Sequence, residues 1–105
     1  MIAKNLPTRL IGAWQKTSRE PEALIYPVAV EFRPNGLYFA RNDPEAPMRK
    51  WDVGRFRQEA PSRLRVTLAN DSSEVYVFAV RGKKLTLTDP EGCVVVYLRM
   101  EQAAS

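Results

Sequence analysis

Short runs of alternating apolar and polar residues recur along this chain, bounded by turn-forming residues at a spacing of about 8–12 positions, and together they predict an all-β fold. No segment of useful length carries the 3.6-residue period of an amphipathic helix. The runs follow one another without the long crossovers that parallel strands need, so the expected topology is an antiparallel up-and-down meander of about eight strands. Closing such a meander into a barrel removes the edge strands on which other chains would pair.

The chain is organised around Arg9-Leu10-Ile11-Gly12-Ala13-Trp14, an apolar run that ends in Gly-x-Trp. Residues 1–8 read as an arm, closed by Pro7 and Thr8. The first strand is expected over 10–16, with Gly12 marking a bend or a close backbone approach. Residues 17–22 are polar, and Ser18 is placed to cap one helical turn at most, since Pro21 opposes more. Val28, Val30 and Phe32 then share one face while Ala29, Glu31 and Arg33 share the other. Pro34-Asn35-Gly36 is a strong hairpin turn, because Asn and Gly accept the positive φ such turns demand. The return strand covers 37–41.

Residues 42–48 carry two prolines and two acids and read as an exposed loop. The next strand is expected over 49–58, with Trp51 and Val53 in phase. Phe56 falls at an odd offset from Val53, so Gly54 is expected to sit in a β-bulge. Ala60-Pro61-Ser62 turns the chain into Leu64, Val66 and Leu68, which alternate with Arg65, Thr67 and Ala69. After the turn at 70–73, residues 75–80 are apolar on both faces, as in a strand covered on both sides. Gly82-Lys83 leads to the strand at 85–88, and Asp89-Pro90-Glu91-Gly92 leads to the last strand, over 93–100. Residues 101–105 read as a frayed tail.

With 105 residues the chain is expected to form a single domain, its core over about 9–100. The formal charge of +4 is mild, and the aromatics alternate away from the basic positions, so nucleic acid is not expected as a partner. One cysteine, Cys93, excludes an intrachain disulfide; it opens an apolar strand and reads as a small buried hydrophobe. There is no histidine, which removes the Ser-His and Cys-His dyads and every histidine-based metal site. No catalytic residue, metal site or cofactor is therefore expected. The N-terminal residues lack the apolar stretch of a signal peptide, and no run approaches the ~18 apolar residues of a membrane span. A cytoplasmic location is the expectation.

Gly12-Ala13-Trp14 followed by eight meandering strands resembles the lipocalin-like (calycin) barrels, and above all their short bacterial members. Phe32-Arg33-Pro34-Asn35-Gly36 is similar to the family's F-x-x-[DN]-G pattern. The stretch from Leu85-Thr86-Leu87 through Gly92 to Tyr97-Leu98-Arg99 is similar to its L-x-L-x-x-x-x-G…Y-x-R ending. The resemblance covers about residues 9–100, although the chain is shorter than a typical secreted lipocalin. It implies a barrel closed at one end by Gly12, Trp14 and Arg99, with Arg99 packed over the Trp14 ring. A cation–π contact of that kind contributes about 0.5–2 kcal/mol.

The resemblance and the aromatic supply lead to a first functional expectation, a non-enzymatic domain that holds a small apolar or amphipathic ligand inside the barrel. Its walls would come from Phe39, Trp51, Tyr76, Phe78 and Tyr97, with the mouth at the end opposite Trp14 and the loop at 42–48 controlling entry. The alternative is a protein-interaction or assembly domain with a filled barrel, paired with a partner or another copy through the doubly apolar strand at 75–80. An enzyme ranks third. Arg55, Arg57, Arg63 and Arg65 are expected on an outer face, offset by acids such as Glu59 and Asp52.

Overall fold

The computed structural model describes residues 8–18, 21–42 and 51–100. The N-terminal arm through Pro7, residues 19–20, residues 43–48 of the expected loop, residues 49–50 of the strand expected after it and the C-terminal tail lie outside the described residues. A 3-10 turn at Thr8–Leu10 precedes β1 (Gly12–Lys16), and a second at Pro21–Ala23 precedes β2 (Ala29–Phe32). β3 (Leu37–Arg41), β4 (Val53–Ala60), β5 (Arg63–Thr67), β6 (Ser73–Arg81), β7 (Lys84–Thr88) and β8 (Val94–Arg99) follow. Every neighbouring pair is antiparallel, and β8 returns to β1 through Trp14↔Arg99, Gln15↔Leu98 and Lys16↔Tyr97. The sheet is a closed up-and-down barrel in the order β1 to β8.

Strand direction divides the connections between two ends. The first 3-10 turn and the β2–β3, β4–β5 and β6–β7 turns lie at one, here called the plug end. The β1–β2 and β3–β4 connections and the β5–β6 and β7–β8 turns lie at the other, the loop end. Alternation does what a barrel requires: Val30 and Phe32, Leu64 and Val66, Leu85 and Leu87, and Val95 and Tyr97 point inward and are buried.

The turns form as the sequence chemistry predicts. Gly36 adopts a φ of 87° and donates its amide to Arg33 O at 3.0 Å, while Leu37 N donates to the Asn35 side chain at 3.1 Å. At 69–72 the left-handed residue is Asp71, with a φ of 70°. Asn70 Oδ1 accepts the Ser72 amide there at 3.1 Å.

Several boundaries differ from the sequence reading. Leu10 belongs to the 3-10 turn rather than to β1, because Ile11 N bonds back to Thr8 O at 3.2 Å. Ser18 caps no helix; its Oγ accepts the Val96 amide at 2.8 Å and fastens the β1–β2 connection to β8. β4 begins at Val53, with buried Trp51 ahead of it and exposed Asp52 and Val53 between, so the change of phase falls at 52–53. Gly54 lies in regular register with Tyr38, and the bulge expected there lies instead between Gln58 and Ala60. Gly54 is a glycine for another reason: a Cβ would stand 2.0 Å from Thr67 O and 2.9 Å from the Tyr38 ring. The last strand starts at Val94, with half-buried Cys93 packed against the core at its foot.

Candidate functional site

Three regions could carry function: the barrel interior, its outer face and its two ends. Large rings occupy the interior. Phe32 and Phe56 meet edge to face at 4.9 Å between centroids, and Tyr38 and Trp51 meet at 5.4 Å. Offset and edge-on contacts of this sort add about 0.5–1.5 kcal/mol each beyond the area they bury.

The loop end is closed by aromatic side chains with partnered polar tips. Trp51 and Tyr76 pack edge to face at 5.4 Å, and Tyr26 joins both at 6.1 Å. Trp51 Nε1 donates to Tyr76 Oη at 3.1 Å, and that hydroxyl donates to Glu74 at 2.8 Å. Tyr26 Oη donates to Asp89 Oδ2 at 2.7 Å. Asp89 is buried, and its other oxygen accepts the amides of Glu91 at 2.9 Å and Cys93 at 2.8 Å. Turn chemistry accounts for those two bonds. The Tyr26 bond goes further and ties the β7–β8 turn to the β1–β2 connection. Lys16 Nζ holds that connection from below, donating to Ala23 O at 2.7 Å and Tyr26 O at 2.9 Å.

Burial is the first cause of a raised pKa at each of Tyr26, Tyr38, Tyr76 and Tyr97. The hydrogen bond to Asp89 raises Tyr26 further, and the charge of Asp52 raises Tyr38. Tyr97 Oη donates to Pro27 O at 2.9 Å.

The plug end is built differently. Arg99 lies over Trp14, its Cζ 4.2 Å from the ring centroid, and donates to Ile11 O at 2.8 Å and Arg9 O at 2.5 Å. Trp14 Nε1 donates to Leu10 O at 2.9 Å. Gly12 makes this possible, because its φ is 131° and a Cβ there would stand 2.5 Å from Arg99 Nη1. Beside the plug is a notch. β5 starts opposite Val77, so β6 runs past it from Phe78 to Arg81, bonded on that side through Phe78 N to Ser62 O at 2.8 Å. Arg9 reaches into the gap and donates to Val80 O. Thr8, Arg9, Gln58, Pro61, Phe78, Ala79, Val80 and Arg81 surround a concavity of about 410 Å³.

The outer faces are equally unlike. Across β4 and β5 the surface is charged, with Glu59 bonded to Arg65 at 2.5 Å and to Arg57 at 3.0 Å. Hydrogen bonding from Arg65 holds the Glu59 carboxyl below its ordinary range and raises the guanidinium in return. Across β6, β7 and β8 the outward rows are Val77–Thr88–Val94 and Ala79–Thr86–Val96. Val77 is 49% exposed, Val94 48% and Leu98 46%, so the second cover expected for the strand at 75–80 is not supplied by the described residues.

Of the pocket-lining residues expected from the sequence, Trp51, Tyr76 and Tyr97 are buried inside the barrel, and Phe78 lines the notch while its ring faces the core. Phe39 is on the outside, 39% exposed, with Arg33 Cζ 4.1 Å from its ring centroid. Its neighbour Tyr38 takes the inward position because Tyr38, not Phe39, is in register with inward Phe32 and Gly54. The mouth expected opposite Trp14 is filled by Tyr26, Trp51 and Tyr76. The contact of Tyr26 with Asp89, which helps close that end, is not foreseen by the sequence. The signal available was a tyrosine inside an otherwise loop-like stretch, with no strand phase to assign it. Among the described residues, no group of three or more acidic or cysteine side chains gathers as metal ligands, and no helix is long and apolar enough to cross a membrane. Comparison with known protein families, curated proteins and solved structures returned no match.

Proposed function

We propose that this chain is an assembly domain, a lipocalin-like barrel in architecture, filled by its own side chains and paired with a second copy of itself through the outer face of β6, β7 and β8. The observation that carries the reading is the neutral, half-exposed patch of Val77, Ala79, Thr86, Val94 and Val96, bounded by opposite charges. Arg63, Arg81 and Lys84 border it toward the plug end, and Asp71 and Glu91 stand in the turns of the loop end. A two-fold axis lying in the interface and perpendicular to the barrel sets two copies antiparallel. The apolar rows then meet themselves, and each basic rim meets the partner's acidic rim. The in-barrel carrier reading needs a ligand where Trp51 and Tyr76 already pack together.

Sedimentation velocity over a concentration series tests the proposal. The expected result is a monomer–dimer equilibrium that weakens with salt and shifts to monomer in Val77→Asp and in Val94→Asp, with melting temperature retained. A parent that stays monomeric at every concentration overturns it. So does a dimer lost in Phe39→Asp but kept in Val77→Asp, which would move the interface to β2–β4. Native mass spectrometry showing a small molecule released only on unfolding would put the carrier reading in front.

A further inference from the structure

The core is most thinly covered at the notch. Phe78 and Val80 are each 8% exposed, whereas Trp14, Leu64, Leu85 and Tyr97 are fully buried. At about 410 Å³ the notch falls within the range of small-molecule sites, roughly 300–1,000 Å³. Its floor is apolar, from Phe78, Val80 and Pro61; both charged groups that line it, Arg9 and Arg81 at the rim, are cationic, and Gln58 and Thr8 beside them are neutral. Backbone polarity adds to them. Successive residues of a strand direct their amides to opposite sides. The Phe78 amide bonds toward β5, so the Val80 amide faces the same side, beyond the point where β5 has ended.

Long-range charge points the same way. Arg9, Arg33, Arg63, Arg81, Lys84 and Arg99 gather at the plug end. Of the acids nearest to them, Glu31 is paired with Arg33 and Glu59 with Arg57 and Arg65. A concave site with one sign of charge and low-dielectric walls focuses the field on an incoming ion of the opposite sign.

From this arrangement we infer that the notch binds an amphipathic carboxylate, its apolar tail laid over Phe78 and Val80 and its carboxylate accepting hydrogen bonds from Arg81, Arg9 and the Val80 amide. The planar fork of a guanidinium matches the two oxygens of a carboxylate. Arg9 is already in place, anchored to Val80 O on one side and receiving Arg99 at its own carbonyl on the other. The site shares Ala79 and Arg81 with the edge of the proposed dimer face and lies at the end opposite the mouth expected from the sequence.

The test is a titration of the full chain with three probes, decanoate, decanol and inorganic phosphate, followed by amide chemical shifts and by calorimetry. Decanoate is expected to bind saturably below its aggregation concentration, shifting the amides of Gln58, Ala79, Val80 and Arg81. Decanol, with the tail alone, and phosphate, with the charge alone, should each bind at least tenfold more weakly. Arg81→Met should cost about tenfold in decanoate affinity, as the loss of a charge-assisted hydrogen bond does, and its position on the exposed rim leaves the fold intact. Repeating the titration on Val94→Asp, a substitution at the loop-end start of β8 and outside the notch, separates this site from the dimer, since the monomeric variant should bind decanoate no more weakly than the parent does. Binding unchanged in Arg81→Met overturns the inference, as do shifts confined to the Trp51–Tyr76 end or no saturable binding of decanoate.

Discussion

The two ends of this barrel close by different physics. At the loop end three aromatic rings, Tyr26, Trp51 and Tyr76, pack edge to face, and each has its polar tip bonded to another protein group. At the plug end one tryptophan is covered by one arginine, and the charge that covers it remains at the surface. Burying aromatic area excludes water, and the one buried carboxylate among the described residues there, Asp89, accepts hydrogen bonds from Tyr26, Glu91 and Cys93, so these side chains close the loop end. A cationic cap leaves net positive potential, and beside it β6 outlasts β5 and leaves a strand edge with only partial cover. Openness in this molecule is therefore found where charge closes the core rather than where rings do.

The largest expected effect tests the plug end. Trp14→Ala should destabilise the domain by about 3–5 kcal/mol, the usual loss for a fully buried large aromatic, read from chemical denaturation. Arg99→Met, which keeps the covering stem but loses the charge and the bonds to Ile11 O and Arg9 O, should cost less, about 1–3 kcal/mol. An Arg99 variant as damaged as the Trp14 variant would show that the cap, not the ring, holds this end.

Next comes the loop end. Asp89→Ala strips the partner from Tyr26 Oη and from two amides, and should cost about 3 kcal/mol, within the range for lost bonds to a buried charged acceptor. Asp89→Asn keeps an acceptor for the turn amides and should recover part of that loss. If Asp89→Ala melts like the parent, Tyr26 is held by ring packing alone.

Alkaline titration compares the same regions without mutation. All four tyrosines have pKa values raised by burial above the unfolded value of about 10. The unfolded chain therefore releases protons first as pH rises, and stability is intact below about pH 10 and falls above it. Ultraviolet titration should show the native protein holding all four hydroxyls protonated past pH 10, then a single step as the barrel unfolds. A tyrosine that ionises earlier with the fold intact would mark a leak at its position.

The smallest effect is expected at Tyr38, whose hydroxyl is buried and has no hydrogen-bond partner among the described residues. Tyr38→Phe should change stability by no more than about 0.5 kcal/mol, or raise it, because a buried donor without a partner stabilises nothing. A loss above 1 kcal/mol, which removal of a satisfied hydroxyl gives, would place a partner beside it.

Strand number, antiparallel order and most turns were legible because each rests on local rules. Period-2 alternation decides which residues of β2, β5, β7 and β8 point inward. Gly36 and Gly82 specify their turns by the positive φ they adopt. The position of Arg99 over Trp14 followed from resemblance rather than from any local rule.

Tertiary structure decided the rest. Tyr26 looks like any loop residue until the β1–β2 connection folds over the barrel and delivers it to Asp89, 63 positions further along. Phe39 and Tyr38 are adjacent aromatics of equal β propensity, and only the register with Phe32 and Gly54 chooses which one enters the core. Gly54 reads as a bulge in one dimension; in three it is where the Thr67 carbonyl and the Tyr38 ring leave no room for a Cβ. The notch exists because β6 outlasts β5, a difference between two strand lengths that becomes a site only when the strands are paired. Alternation and turn chemistry act between neighbours in sequence, so the chain alone determines them. Contacts across 25 to 90 positions depend on closure of the barrel, and only closure sets them.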